Sequence, residues 1–380
     1  MATTVCPSYA SRLTVDLAAI RANYRLIADR VAPAACAAVV KANAYGLGVA
    51  QVAPALYREG CRTFFVAQLG EAITVRAAIG PDATILILNG LNPGCEAMCA
   101  EAGFVPVLNA AGQVARWRDL ARTGGRPLPA ALQADTGMSR LGLDADAIVA
   151  LAQDRDFAAQ VPLRLLMTHL ACADAPGNPA NADQLARFDA VRALFPGVPA
   201  SIANSGGAFL SPDYRCDLAR PGVALYGVAP APDIDGLRPV VRLDARIVQI
   251  RTVGAGAGVG YGLDYRAPAA RRLATVGIGY ADGWPRRLGG VGAAWHDGQR
   301  LPIVGRVSMD SLTVDISDVA PDRLNEGDFV ELIGPHQTLD DVARDAGTIA
   351  YEILTSLGPR HQRAYVDGAA TETLPPRSSL

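Results

Sequence analysis

Residues 38–48 read AVVKANAYGLG. The opening AVV has the apolar character of a buried strand, and a lysine follows it without a break. An ammonium at the end of such a strand is costly unless it is paired, exposed or chemically used. The next residues, Ala-Asn-Ala-Tyr-Gly, are too polar to continue a strand and too turn-like to be core, so they read as a loop.

Outward from this strand the pattern repeats. Short apolar runs recur as CAAVV, RTFFVAQ, TILILN, FVPVLN, PAALQAD, LRLLMTHL, ASIANS and DLARPGVALYG. Most are separated by helix-length segments such as VAPALYREG, LGEAITVRAAIG and NADQLARFDAVRALF. A first helix precedes them: after Asp16, a plausible N-cap, Leu17, Ile20, Tyr24 and Ile27 recur at helical spacing. Strands buried on both faces and alternating with helices require a parallel sheet, and eight is the number at which such a sheet closes. The expected fold is α/β, an N-terminal (β/α)8 barrel over residues 1–236. A short strand ahead of the first helix is expected to join the second domain.

From residue 237 to 380 the rhythm changes. VVRLDARIVQIRTV, RRLATVGIGY, RLPIVGRVS, SLTVDIS and GDFVELIG are β-rich pieces divided by glycine, proline and aspartate turns. They predict a mostly antiparallel β domain, with TLDDVARDAG and TIAYEILTSLG as late short helices and TETLPPRSSL as a loose tail. The glycines of GAGAGVGYG follow a strand but open no helix, so they read as turn glycines and not as a nucleotide-binding loop.

The 380 residues carry 35 basic and 37 acidic side chains, a balance that argues against nucleic acid and against a charged membrane surface. No run approaches the roughly 18 apolar residues of a membrane span, and the start MATTVCPSYASR lacks a signal-like apolar segment, so the expected location is the cytoplasm. Seven cysteines without Cys-x-x-Cys and four scattered histidines favour reduced thiols and no metal. A small molecule is the expected ligand.

In a βα barrel the reactive groups stand where strands end. Lys41 follows CAAVV, Arg140 follows the loop after PAALQAD, His169 closes LRLLMTHL, Asn204 and Ser205 close ASIANS, and Arg220 lies in DLARPG. Singly, each has a plain structural explanation, a snorkelling lysine or a hydrogen-bonded core histidine among them. Together, two arginines, a lysine and a glycine-rich loop at one mouth suit an anionic ligand, and phosphate is the obvious one. Lysine with phosphate suggests pyridoxal phosphate, whose aldehyde condenses with a lysine amine.

Here the sequence resembles the alanine racemase family over nearly its whole length. The resemblance is carried, in order, by AVVKANAYGLG, QADTGMSRLG, MTHLACAD, IANSGG, ARPGVALYG, GIGYADGWPR, GRVSMDSLTVDI and YEILTSLGPR. It implies that Lys41 is the Schiff-base lysine of pyridoxal phosphate. It also implies that Tyr45, Tyr351, Ser205 and the amides of Gly222 and Val223 cradle the phosphate, with Asn204 nearby. Arg220 would face the pyridine nitrogen, and because a guanidinium only donates, that nitrogen would stay unprotonated. Tyr280 would reach the active site of the other subunit in a head-to-tail homodimer and serve L-alanine as base, opposite Lys41, which serves D-alanine. A chain from Tyr280 through His169 to Arg220 would tune the phenol. Arg140, with the amide of Met309 from the partner, would meet the substrate carboxylate. Asp174, Arg306 and Ile349 match positions along the family's narrow entry path.

Two positions depart from the family pattern. Gln133 stands where a carbamylated lysine is common, predicting either a bound anion beside Arg140 or a direct amide contact, and Leu47 stands where histidine is usual. The implied function is interconversion of L- and D-alanine, either feeding cell-wall synthesis or serving D-alanine breakdown. The competing readings are a racemase of broader range, a barrel decarboxylase of basic amino acids and a non-catalytic carrier of the cofactor. GYADG and the second domain weigh against the last two.

Overall fold

The structure, a computed structural model, describes residues 8–368. The expected tail TETLPPRSSL lies outside those residues, as does the MATTVCP start. Contacts divide the chain into two compact units: Ala19–Pro239, and Val240 onward together with the residues up to Ala18. The division falls three residues beyond the expected 236/237 boundary. The reason is local: the Asn23 side chain donates to the Arg238 carbonyl at 3.0 Å and accepts from the Arg238 amide at 2.7 Å, tying that segment to the first helix.

In the first unit a parallel sheet runs through Ala38–Val39, Thr63–Val66, Thr84–Ile87, Val105–Leu108, Ala130–Gln133, Leu163–Met167 and Ala200–Ser201, each beside the next. Ala35–Cys36 pairs in parallel with Leu218–Ala219. The ring closes because the amides of Ala35, Ala37 and Val39 donate to the carbonyls of Asp217, Ala219 and Pro221, all at 2.9 Å, while Arg220 donates to Ala203 at 2.8 Å. Every residue of Val105–Leu108 and Ala130–Gln133 is buried, so the first appears in the sequence as an unbroken apolar run and the second as one that ends on Gln133. The helix Leu17–Val31 buries Leu17, Ile20, Tyr24 and Ile27, the periodic set.

Two segments differ from expectation. Only Leu218–Ala219 of DLARPGVALYG is extended; Pro221 has no amide for a ladder, and Val223–Tyr226 turns into a 3-10 helix that ends on Gly227 at φ +80°. ANAYG, expected as a loop, is one turn of left-handed helix, described below.

The second unit is built on the 13-residue strand Val241–Val253. Ser11–Asp16 and Phe329–Ile333 flank its first half antiparallel, and Arg271–Val276 pairs with its second half and then with Leu312–Asp315. Ser11–Asp16 also pairs in parallel with Gln362–Val366. A hairpin, Ala293–His296 with Gln299–Pro302, extends the sheet through a turn in which Asp297 (φ +47°) and Gly298 (φ +78°) are both left-handed. Helices Leu339–Ala346 and Ala350–Ser356 follow. Gly258–Val259 pairs with Tyr265–Arg266 and no α-helix opens from that glycine run. Among the described residues no helix is long and apolar enough to cross a membrane.

Candidate active site

Lys41 is the sole lysine of the sequence and stands at the C-terminal end of the first barrel strand. The turn that follows places Ala42, Asn43, Ala44 and Tyr45 at φ between +53° and +55°. A non-glycine residue there costs roughly 1–2 kcal/mol, so the turn persists only because its surroundings impose it. Ala44 donates to Val40 at 2.9 Å, Gly46 to Ala42 at 2.7 Å and Gly48 to Asn43 at 2.9 Å, while the Asn43 side chain accepts from Val49 at 2.8 Å. The Ala42 amide donates to Glu71 Oε1 at 2.7 Å.

Arg140 is carried by a loop folded around one carboxylate. Asp135 Oδ1 accepts from the amides of Gly137, Met138 and Ser139 at 2.9, 3.0 and 3.1 Å. Burial opposes its charge, but these amides hold the carboxyl below its usual range. Gly142, at φ +118°, lets the loop return, since a Cβ there would stand 2.6 Å from the Asp135 amide. Gln133 Nε2 donates to the Leu141 carbonyl at 3.0 Å. Among the described residues its amide therefore orients the residue beside Arg140, not the guanidinium; the direct contact is replaced by this one.

Arg220 is buried and donates to the Thr168 carbonyl at 2.6 Å and to the Ser201 hydroxyl. Burial pushes its guanidinium down to about 10, which leaves it charged at neutral pH. Burial, then Arg220, Arg140 and Lys41 push His169 down to about 3, so its imidazole is neutral. Burial and Arg140 lower the Lys41 ammonium, and Glu71 opposes them. Lys41, Arg140, His169 and Arg220 thus lie within electrostatic reach of one another.

A pH dependence follows. The folded chain keeps His169 neutral to about pH 3, whereas an unfolded chain takes up that proton near 6.5. The unfolded state binds more protons in between, so stability falls as pH drops below 6.5, by about 2 kcal/mol at pH 5. Burial lowers His361 as well and adds in the same direction. Denaturant unfolding at pH 7 and pH 5 should show this loss, with most of it absent in His169→Asn.

Beside Gly222 the hydroxyls of Ser205 and Tyr45 meet backbone amides. Ser205 Oγ accepts from the amides of Gly222 and Ala224 at 2.8 and 3.3 Å. A Cβ on Gly222 would stand 2.3 Å from Tyr45 Oη, and the Tyr45 ring packs on Tyr226 with centroids 4.7 Å apart. Tyr226 in turn donates to the Val39 carbonyl at 3.0 Å, so Tyr45 has no retreat. Gly222→Ala should cost about 1–3 kcal/mol in urea unfolding, the range for overfilling a packed site. Asn204 accepts from the Gly207 amide at 2.9 Å and donates to the Leu170 carbonyl at 3.3 Å, which shapes the loop beside Ser205. Asp174 is exposed in the same unit.

The remaining candidates belong to the second unit. Tyr280 opens a short 3-10 turn, its amide donating to Ser308 at 3.1 Å and that of Ala281 to Met309 at 3.0 Å. Gly279 permits this approach, because a Cβ would stand 2.3 Å from both carbonyls. Tyr280 and Met309 are thus brought together, and both are exposed, by 43% and 52%. Arg306 pairs with Asp264, and Ile349 and Tyr351 are exposed.

Three supporting residues escape a strand-end search. Gln184 donates to the His169 carbonyl at 2.9 Å and to Thr136 Oγ1 at 3.2 Å, and accepts from Ala171 at 2.9 Å. Arg360 pairs with Asp282 at 3.2 Å and Asp310 at 2.7 Å, joining GYADG to VSMDS. Glu71 is the third. Opposite charges inside the quoted motifs were a signal for Arg360; Gln184 and Glu71 sit on helices and gave none.

A closed barrel whose mouth gathers one lysine, two arginines and a neutral histidine beside a glycine-lined hydroxyl cradle defines a βα-barrel enzyme for a small anionic ligand. Comparison with known proteins narrows this. Residues 15–230 match the model for "Alanine racemase, N-terminal domain" and residues 240–365 that for "Alanine racemase, C-terminal domain". A Brucella canis protein described as alanine racemase is 52% identical over 377 residues, covering 95% of both chains. A Mesorhizobium japonicum protein described as "Alanine racemase, catabolic" is 52% identical, covering 94% of this chain and 93% of its own. The Bartonella henselae alanine racemase structure, described with covalently bound pyridoxal phosphate, superimposes with a TM-score of 0.91 at 44% identity, covering 95% of this chain and 100% of that one. The chain belongs to the alanine racemase family.

Proposed function

We propose that this chain interconverts L- and D-alanine with pyridoxal phosphate held by Lys41, as a homodimer in which Tyr280 of the partner subunit completes each active site. Lys41 carries the reading: it is the one lysine, it ends a barrel strand, and burial and Arg140 already favour its uncharged, nucleophilic form. The donor set fits the cofactor. Tyr45, Ser205 and the amides of Gly222 and Val223, with Tyr351, would hold its phosphate at a wall where a Cβ on Gly222 would collide with Tyr45. Arg220, fixed by Thr168 and Ser201, would meet the ring nitrogen with donors only and keep it unprotonated. When bound, pyridoxal phosphate withdraws electron density from the substrate Cα and makes its proton removable.

The protein's own groups then divide the work. Arg140 would hold the substrate carboxylate, helped by the partner subunit's Met309. Lys41 would take or return the Cα proton on the face of D-alanine, and the partner subunit's Tyr280 on the face of L-alanine. A neutral His169 beside Arg220 can donate a hydrogen bond to the oxygen of that phenol and pass on the arginine's field. The exposure of Tyr280 and Met309, with Tyr261, Leu263, Ile349 and Tyr351 in the same unit, supports a second copy as the partner. Asp174, Arg306 and Ile349 are proposed to line the entry, which would favour small side chains.

The name of the Mesorhizobium japonicum relative supports consumption of D-alanine as a role beside its supply for peptidoglycan. A deuterium-exchange assay with L-alanine, L-serine and L-lysine tests the function. Exchange with inversion on alanine alone is expected; inversion of serine at a similar rate would make it a broader racemase, and loss of carbon dioxide from lysine a decarboxylase.

A further inference from the structure

We propose that Glu71 is a positioning residue for Lys41, its carboxylate bracing the left-handed turn from a neighbouring barrel element. Glu71 lies in the first turn of the helix Leu69–Ile79, and its Oε2 accepts from the amides of Ala67 and Gln68 at 2.7 and 3.2 Å. That is all a helix cap needs. Oε1 does something else: it accepts at 2.7 Å from Ala42, the residue after Lys41 and 29 positions away along the chain.

The Ala42 amide has a particular need for this acceptor. Ala44 and Gly46 find carbonyls four residues behind them, on Val40 and Ala42, as later donors in any helix do. Ala42 is among the first donors and has no such carbonyl behind it. Four residues held at positive φ favour unwinding, and the turn sets where the Lys41 side chain departs from the strand. A charged acceptor on the first donor opposes that unwinding. The charge of the same carboxylate favours the Lys41 ammonium and offsets the effect of Arg140 on it. Glutamine cannot replace it, since an amide presents one accepting atom and the site uses two.

The inference rests on the reading of Lys41 as the cofactor's amine, but its test does not use cofactor. Because Lys41 is the only lysine, amine acylation followed by mass spectrometry reports its titration alone among side chains. In the full chain stripped of cofactor, Glu71→Gln should lower the apparent pKa of Lys41, because the one charge that favours its ammonium is removed. It should also speed hydrogen exchange at the Ala42 amide about tenfold. Asp341→Asn, which weakens the similar cap of Leu339–Ala346, should lower the unfolding midpoint comparably and leave both readouts unchanged. A Lys41 titration and an Ala42 exchange rate equal to wild type in Glu71→Gln would overturn the proposal. So would an unprotected Ala42 amide in the wild-type chain, whether or not the variant folds. Borohydride trapping of the cofactor on wild-type Lys41 tests the underlying reading separately.

Discussion

Lys41→Ala is expected to lower racemisation by at least about 10^4-fold and to end covalent retention of the cofactor. Two losses combine: the attachment that places the cofactor and one of two groups that move the Cα proton. No other side chain substitutes, because the sequence has no second lysine and the barrel's other cations are guanidiniums, which neither condense with an aldehyde nor give up a proton near neutrality. Lys41→Arg should be as inactive, although it keeps the charge; this separates amine chemistry from electrostatics. The measurement is direct. After incubation with pyridoxal phosphate and borohydride, the wild-type peptide containing residue 41 gains the mass of the reduced adduct, and the corresponding peptide of neither variant gains that mass. Activity of either variant within tenfold of wild type, or an unlabelled wild-type peptide, would remove Lys41 from the reaction.

The same uniqueness bears on how much of the site is legible in the sequence. The strand ends were legible because parallel strands buried on both faces leave continuous apolar runs, and the residue that breaks each run, Lys41 or His169, is the one that reaches the mouth. Pairing between distant segments was not. Ser11–Asp16 lies beside Gln362–Val366, and Ser11 contacts His361 across 350 positions; nothing local in either segment names its partner. The hairpin around Asp297-Gly298 was missed although that dipeptide is its signal, because the flanking Ala293–His296 and Gln299–Pro302 do not alternate cleanly. The left-handed turn was unreadable for a different reason. Ala42 and Ala44 have no preference for positive φ, and the conformation is imposed by Asn43, Glu71 and the Gly46 and Gly48 amides acting together. Local propensity fails where tertiary contacts hold strain, and that is where the reactive amine sits.

Tyr280→Phe is expected to split the two directions of the reaction. If the partner subunit's Tyr280 takes the proton of L-alanine and Lys41 that of D-alanine, removing the hydroxyl should slow solvent exchange from L-alanine by about 10^2 to 10^4. Exchange from D-alanine without inversion should persist, since Lys41 remains. The fold should tolerate the change: the Tyr280 turn is held by backbone bonds to Ser308 and Met309, by the Gly279 amide on Asp282 at 2.8 Å and by Arg360, none of which uses the phenol. An unfolding midpoint equal to wild type is therefore expected beside the lost exchange, and proton NMR in deuterium oxide reads both directions in one sample. A single-base mechanism at Lys41 would instead slow both directions alike or neither. Mixing Tyr280→Phe with Lys41→Ala adds the subunit question. If each site takes its lysine from one chain and its phenol from the other, the heterodimer regains one intact site, so a mixture of two inactive variants should recover activity approaching one quarter of wild type, with about half of dimers mixed at random. A mixture as inactive as its parts would place both groups on one chain.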